Sequence, residues 1–148
     1  MESSLKSPAL TMRVLKYAFV ISAFLFIFVA IKIPAQAQAP VSQSPQLAIA
    51  VAGIISIEAG FFLPRFLSRG ARRASQKNPA LTPLKQWMTR GVVGLACFEA
   101  CILYGFLLRF LGGHLWLVEL LFGLGITAEL FWSPGAPPSL ESGDFPQS

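Results

Sequence analysis

The sequence predicts an all-α integral membrane protein with four transmembrane helices in an antiparallel bundle. Three observations predict it. Hydrophobic residues make up 54% of the 148 residues and charged residues only 13%, against about 25% charged in ordinary soluble domains. The apolar residues are gathered into four long blocks, each of a length that suits a membrane helix. The basic residues are sorted to one side of those blocks, as membrane topology requires.

The first span covers residues 13–33, after an N-terminal segment at 1–12. Its apolar core runs from Tyr17 to Ile31 between Lys16 and Lys32, whose stems can snorkel, and Pro34 ends it. The same region has signal-peptide features: Arg13 and Lys16, an apolar core, then Ala35, Ala37 and Ala39 at small-x-small spacing. Lys32 interrupts the approach to that site and favours an uncleaved anchor. An external loop at 34–46 carries no charge. The second span is 47–64, broken only by Glu58 and closed by Pro64. The third is 91–111, carrying Glu99 and Arg109, and the fourth is 115–132, carrying Glu119 and Glu129. Gly112, Gly113 and His114 form the external turn between them. The tail at 133–148, rich in Pro, Ser and Gly, reads as disordered.

Orientation follows from the loops. Residues 65–90 contain Arg65, Arg69, Arg72, Arg73, Lys77, Lys85 and Arg90 and no acidic residue. The positive-inside rule places this loop and both termini in the cytoplasm, in an inner or plasma membrane. The net charge of +5 is therefore assigned to topology and to acidic lipid headgroups at the basic loop, and no nucleic-acid partner is expected.

Two stripes of small residues suit close helix packing. The second span has Ala48, Ala52, Ser56 and Gly60, and the third has Cys97, Cys101 and Gly105 with Gly94 nearby. They predict a tight hairpin of these two spans. Glu58 and Glu99 then both point away from the seam and must meet another helix, another subunit or lipid. Cys97 and Cys101 lie one turn apart on one helix, a poor geometry for a disulfide and too few ligands for a metal. They read as packing residues.

An ionisable group inside a span is a functional candidate. Glu99 shares its face with Val92, Leu95, Leu103 and Phe106, and such surroundings disfavour a charged carboxyl. It can be a proton site or a structural hydrogen-bonding group. Glu58 is the second proton-site candidate. Arg109 and Glu119 flank the external turn at similar distance and read as a structural ion pair. Glu129, near the inner end of the fourth span, is expected at the interface within reach of Arg65 or Arg90. His114 is expected to be solvated, and Trp87, Trp116 and Trp132 to anchor helices at the interfaces.

The stretch from Leu95 to Leu107, LACFEACILYGFL, with Ala100 after Glu99 and then Tyr104 and Gly105, resembles the carboxylate helix of subunit c, the proteolipid of rotary ATP synthases. Lys77, Asn78 and Pro79 are similar to the polar-loop signature of that family. The resemblance covers about the second and third spans. It implies a proteolipid-like hairpin in which Glu99 binds the transported proton or sodium ion, in an oligomeric setting. The chain departs from that pattern in its extra first and fourth spans, in Glu58, and in the permanent charge of Arg109. These departures favour a small multi-pass membrane protein that is a non-catalytic accessory or assembly component of a membrane complex, with a homo-oligomer or another membrane protein as partner. No catalytic constellation, phosphate-cradling loop, metal-ligand cluster or cofactor motif stands in the sequence, and no enzymatic activity is expected.

A reporter fused after Ser148 and one inserted at Gln76 are predicted to be cytoplasmic, and one at Gln43 external. An external signal at Gln76 would invert the topology and remove the basis of the membrane reading.

Overall fold

The computed structural model of the protein describes residues 8–32, 42–75 and 83–135. It is all-helical over these residues: α1 (Pro8–Lys32), α2 (Gln43–Ser75), α3 (Pro83–Phe110) and α4 (Leu115–Phe131). The Ala-x-Ala segment at 35–39, the Lys77-Asn78-Pro79 signature and the tail from 136 onward lie outside the described residues.

Three of the helices are long and apolar enough to cross a membrane, over Ala9–Lys32, Gln43–Leu67 and Lys85–Phe110. The fourth has 17 residues, about 25 Å of helix at 1.5 Å per residue. All but Glu119, Glu129 and Thr127 in it are apolar. The helices overrun the apolar blocks at their basic ends. Helix α1 begins at Pro8 and α3 at Pro83, where a proline's missing N–H is one of the orphan donors in any case. Helix α2 passes through Pro64 and continues to Ser75 rather than ending there.

Neighbours along the chain alternate in direction. Ser22 of α1 lies beside Glu99 of α3, Phe26 stacks on Phe106 at 5.6 Å, and Ala30 meets Arg109, so α1 and α3 run parallel. Gly53 abuts Tyr104, and Gly60 abuts the Phe98 ring, so α2 runs antiparallel to α3. Helices α3 and α4 form the central hairpin. Helices α1 and α2 each pack on both members of it and, among the described residues, not on each other.

The turn between α3 and α4 is a Schellman motif. Gly112 takes φ 71°, a left-handed conformation that glycine adopts without Cβ strain. The Gly113 N–H donates to Leu108 O at 2.8 Å and the Gly112 N–H to Arg109 O at 3.2 Å. Gln46 Oε1 accepts from the His114 N–H at 3.3 Å, tying the start of α4 to α2.

The small residues of α3 meet α4 rather than α2, which corrects the predicted seam. Cys101 Sγ donates to Leu121 O at 3.4 Å. A Cβ on Gly105 would press on Leu121 and Phe122, and one on Gly94 would meet the Trp132 ring at 2.6 Å. On α2 the buried positions are Gln46, Ala50, Gly53, Gly60 and Pro64, while Ala48 is exposed. Ser56 turns its hydroxyl back to Ala52 O at 2.9 Å. The bulky Phe98 decides this arrangement. It fills the space beside Gly60, lies tilted against Phe61 at 5.1 Å and meets Trp132 edge-on at 5.7 Å, joining α2, α3 and α4 at one level.

The exterior of the described residues is largely apolar, and three polar side chains lie inside. Val14, Tyr17, Ile21, Phe24 and Phe28 of α1 and Leu47, Val51, Ile55 and Phe62 of α2 face outward. Glu99, Glu129 and Gln46 are buried. An apolar exterior of this extent far exceeds the patches that monomeric soluble proteins expose.

Candidate functional site

Glu99 lies in the middle of α3 and is nine-tenths buried. It points away from Cys101 and Gly105, as its helical phase requires, and meets α1. The Ser22 hydroxyl donates to Glu99 Oε1 at 2.6 Å, within the separation of about 2.5–2.7 Å typical of a hydroxyl bonded to a carboxylate.

A second carboxyl shares the site. Glu129 of α4 is completely buried, and it interacts with Glu99. The two do not reach full hydrogen-bond geometry. Glu99 Oε2 and both carboxyl oxygens of Glu129 are buried without a hydrogen-bond partner. This corrects the expected interfacial place of Glu129 near Arg65 or Arg90. Its position follows from the hairpin. Counted from the Gly112–Gly113 turn, Glu99 lies about 20 Å back along α3 and Glu129 about 24 Å along α4, within one helical turn of the same height. Glu129 also continues the buried stripe of Val118, Phe122 and Gly125. Both signals were present in the sequence. The Ser22 partnership left none, because a single hydroxyl in an apolar helix most often bonds its own backbone.

The cations nearest in sequence logic are engaged elsewhere. Lys16 Nζ donates to Leu130 O at 2.8 Å and to Trp132 O at 3.0 Å, capping the C-terminal end of α4. Arg109 Nε donates to Ala30 O at 3.3 Å, in the last turn of α1. Both place a positive charge where a helix presents orphan carbonyls and the negative end of its dipole. The ion pair expected between Arg109 and Glu119 does not form among the described residues. Glu119 is exposed on the outer face of α4, and the free carbonyl at the end of α1 takes the guanidinium instead.

Glu58 is exposed on the outer face of α2 and takes no part in the buried site. His114 is exposed at the turn. The Trp87 indole N–H donates to Gly135 O at 3.1 Å, fastening the segment after α4 to α3. Among the described residues no three His, Cys, Asp or Glu side chains converge to hold a metal.

Two carboxyls side by side in an apolar interior, with a hydroxyl on one of them, can share a proton or hold a small cation between them. Both arrangements remove the repulsion of two like charges in a medium of low dielectric. No protein-family model, curated protein or solved structure matches this chain.

The site makes opposite predictions for its two sides. Ser22→Ala strips Glu99 Oε1 of its donor and should lower stability by about 1–3 kcal/mol. Glu129→Gln replaces the second carboxyl with an amide that can donate to Glu99 Oε2, and should raise stability by about 1 kcal/mol. Thermal unfolding of the two purified variants in detergent measures both. A loss in Glu129→Gln as large as that in Ser22→Ala would mean that Glu129 has a partner beyond Glu99.

Proposed function

We propose that the chain is a four-span integral membrane protein, with both termini and the basic 65–90 segment in the cytoplasm. It acts as a non-catalytic accessory or assembly component of a larger membrane complex. The observation that carries this reading is Glu58. It is exposed on the outward face of α2, among Ile54, Ile55, Phe61 and Phe62. It lies about 13 Å in from the Leu67 end of its apolar segment. A carboxyl at that depth facing lipid is costly, and such groups are normally found against another helix. A partner helix bearing a hydrogen-bond donor or a cation relieves the cost, and the bundle itself leaves that face uncovered. The apolar exterior and the length of α1, α2 and α3 support membrane insertion. Helix α4 is near the lower limit of about 17 residues for a span, and as half of the central hairpin it inserts together with α3.

Native gels of mild-detergent extracts test the reading. The parent should migrate in an assembly larger than one chain, and Glu58→Leu should shift it to the smaller species. Unchanged migration of Glu58→Leu would remove Glu58 as the docking residue.

A second reading, a proteolipid-like subunit in which Glu99 is reversibly protonated during ion translocation, is favoured by the two buried carboxyls with no cation bonded to them. Against it, Glu99 is enclosed by α1 and α4, so exchange with either side of the membrane requires the bundle to open. A hydrophobic carbodiimide attacks protonated buried carboxyls. In this reading it labels Glu99 with a yield that falls as pH rises, and Glu99→Gln abolishes function in cells. A Glu99→Gln variant that folds and functions as the parent does would leave the carboxyl a structural role only.

A further inference from the structure

At the basic end of the bundle a cleft of about 520 Å³ opens between α2, α3 and the end of α4. Arg65 of α2 and Arg90 of α3 line it, and Phe61, Pro64, Phe131 and Trp132 form its apolar walls. The antiparallel pairing of α2 and α3 brings the two arginines to one cavity. No carboxylate is among the described residues that line it. Arg90 Nε is buried and makes no hydrogen bond to the described residues. A buried, charged N–H donor left unsatisfied is costly. An anion beside Arg90 answers that demand. The planar fork of arginine suits the paired oxygens of a phosphate.

We propose that this cleft binds a phosphate-bearing anion, and that its occupant is the headgroup of an acidic phospholipid held chiefly by Arg90. The choice of a lipid rests on the membrane reading; the phosphate chemistry does not. Arg65 lies two residues before the Leu67 end of the apolar segment of α2, which sets the cleft at headgroup level. Phe61 and Phe131 continue it toward the apolar zone, where an acyl chain would lie. Trp132 stands at the level where indole rings anchor to the interface. Anionic lipids are concentrated on the cytoplasmic leaflet, the side assigned to this end of the bundle.

The test uses the full chain in nanodiscs of phosphatidylcholine containing a minority of phosphatidylglycerol, with bound lipid read by native mass spectrometry. The parent should retain phosphatidylglycerol in preference to phosphatidylcholine. Arg90→Gln should weaken that retention roughly tenfold or more, with Arg90→Lys intermediate because it keeps the charge and loses the fork. Lys32→Gln, at the opposite end, should leave retention unchanged. If Arg90→Gln fails to fold, Arg65→Gln serves as the variant and should also weaken retention. Equal retention of both lipids by the parent, or unchanged retention in the arginine variants, would overturn the proposal. In a second arm, inorganic phosphate is added to nanodiscs of phosphatidylcholine alone. Stabilisation by phosphate that is lost in Arg90→Gln, with no phosphatidylglycerol retained, would overturn the lipid source and assign the cleft to free phosphate. Alkaline carbonate extraction of cell membranes checks the membrane reading separately. Release of the chain there would defeat that reading and the lipid source together, and the phosphate arm would still decide the chemistry of the cleft.

Discussion

The hydrogen bond from the Gly113 N–H to Leu108 O governs more of this molecule than any other single contact. It stops α3 and starts α4 with no slack, so every later residue of α4 has a fixed height against α3. That register brings Leu121 and Phe122 onto Gly105, the Trp132 ring onto Gly94, and Glu129 to the level of Glu99. One residue inserted in the first turn of α4 would rotate the residues after it by about 100°. It would turn Glu129 out of the interior and carry the Trp132 ring away from both Gly94 and Phe98. The flanking helices read the same register, since each packs on both members of the hairpin.

Within that frame the placement of charge follows a consistent logic. With an apolar exterior, charged groups are favoured where they find protein partners or reach an interface. Lys16 and Arg109 are held by carbonyls at the ends of helices other than their own. Each cation thereby satisfies groups that water would satisfy at the end of a soluble helix, and each ties two helices together. The two interior carboxyls have no such resource. Ser22 serves one oxygen of Glu99, and the remaining three oxygens are buried without a hydrogen-bond partner. That concentration of unspent acceptor capacity makes the centre of the bundle chemically distinctive.

Much of this was legible in the sequence. Blocks of apolar residues predicted the four helices, and helical phase predicted that Glu99 turns its back on the Cys101 and Gly105 stripe. Periodicity reports which residues share a face of one helix. It does not report which neighbour that face meets, and so the small residues of α3 were matched to α2 when α4 is their partner. The Arg109 and Glu119 pairing failed for a related reason. Distance from a turn gives height, but not the competition from a backbone carbonyl on a helix eighty residues away in the chain, here Ala30 at a separation of 79. Pro64 was read as closing its span because proline usually interrupts a helix, whereas α2 runs through it to Ser75. Glu129 was judged from its closeness to the end of its own span, when the distance from the shared turn was the better ruler.

The cap that Lys16 places on α4 joins residues 114 positions apart in the chain. Among the described residues, the polar side-chain contacts that join α1 to other helices, to Glu99, Arg109 and the end of α4, all belong to the second half of the chain. Until α3 and α4 are made, the Ser22 hydroxyl and the Lys16 ammonium therefore lack these partners. Contacts of such long sequence separation are slow to form. Helix α1 therefore completes these contacts only once both members of the hairpin are in place.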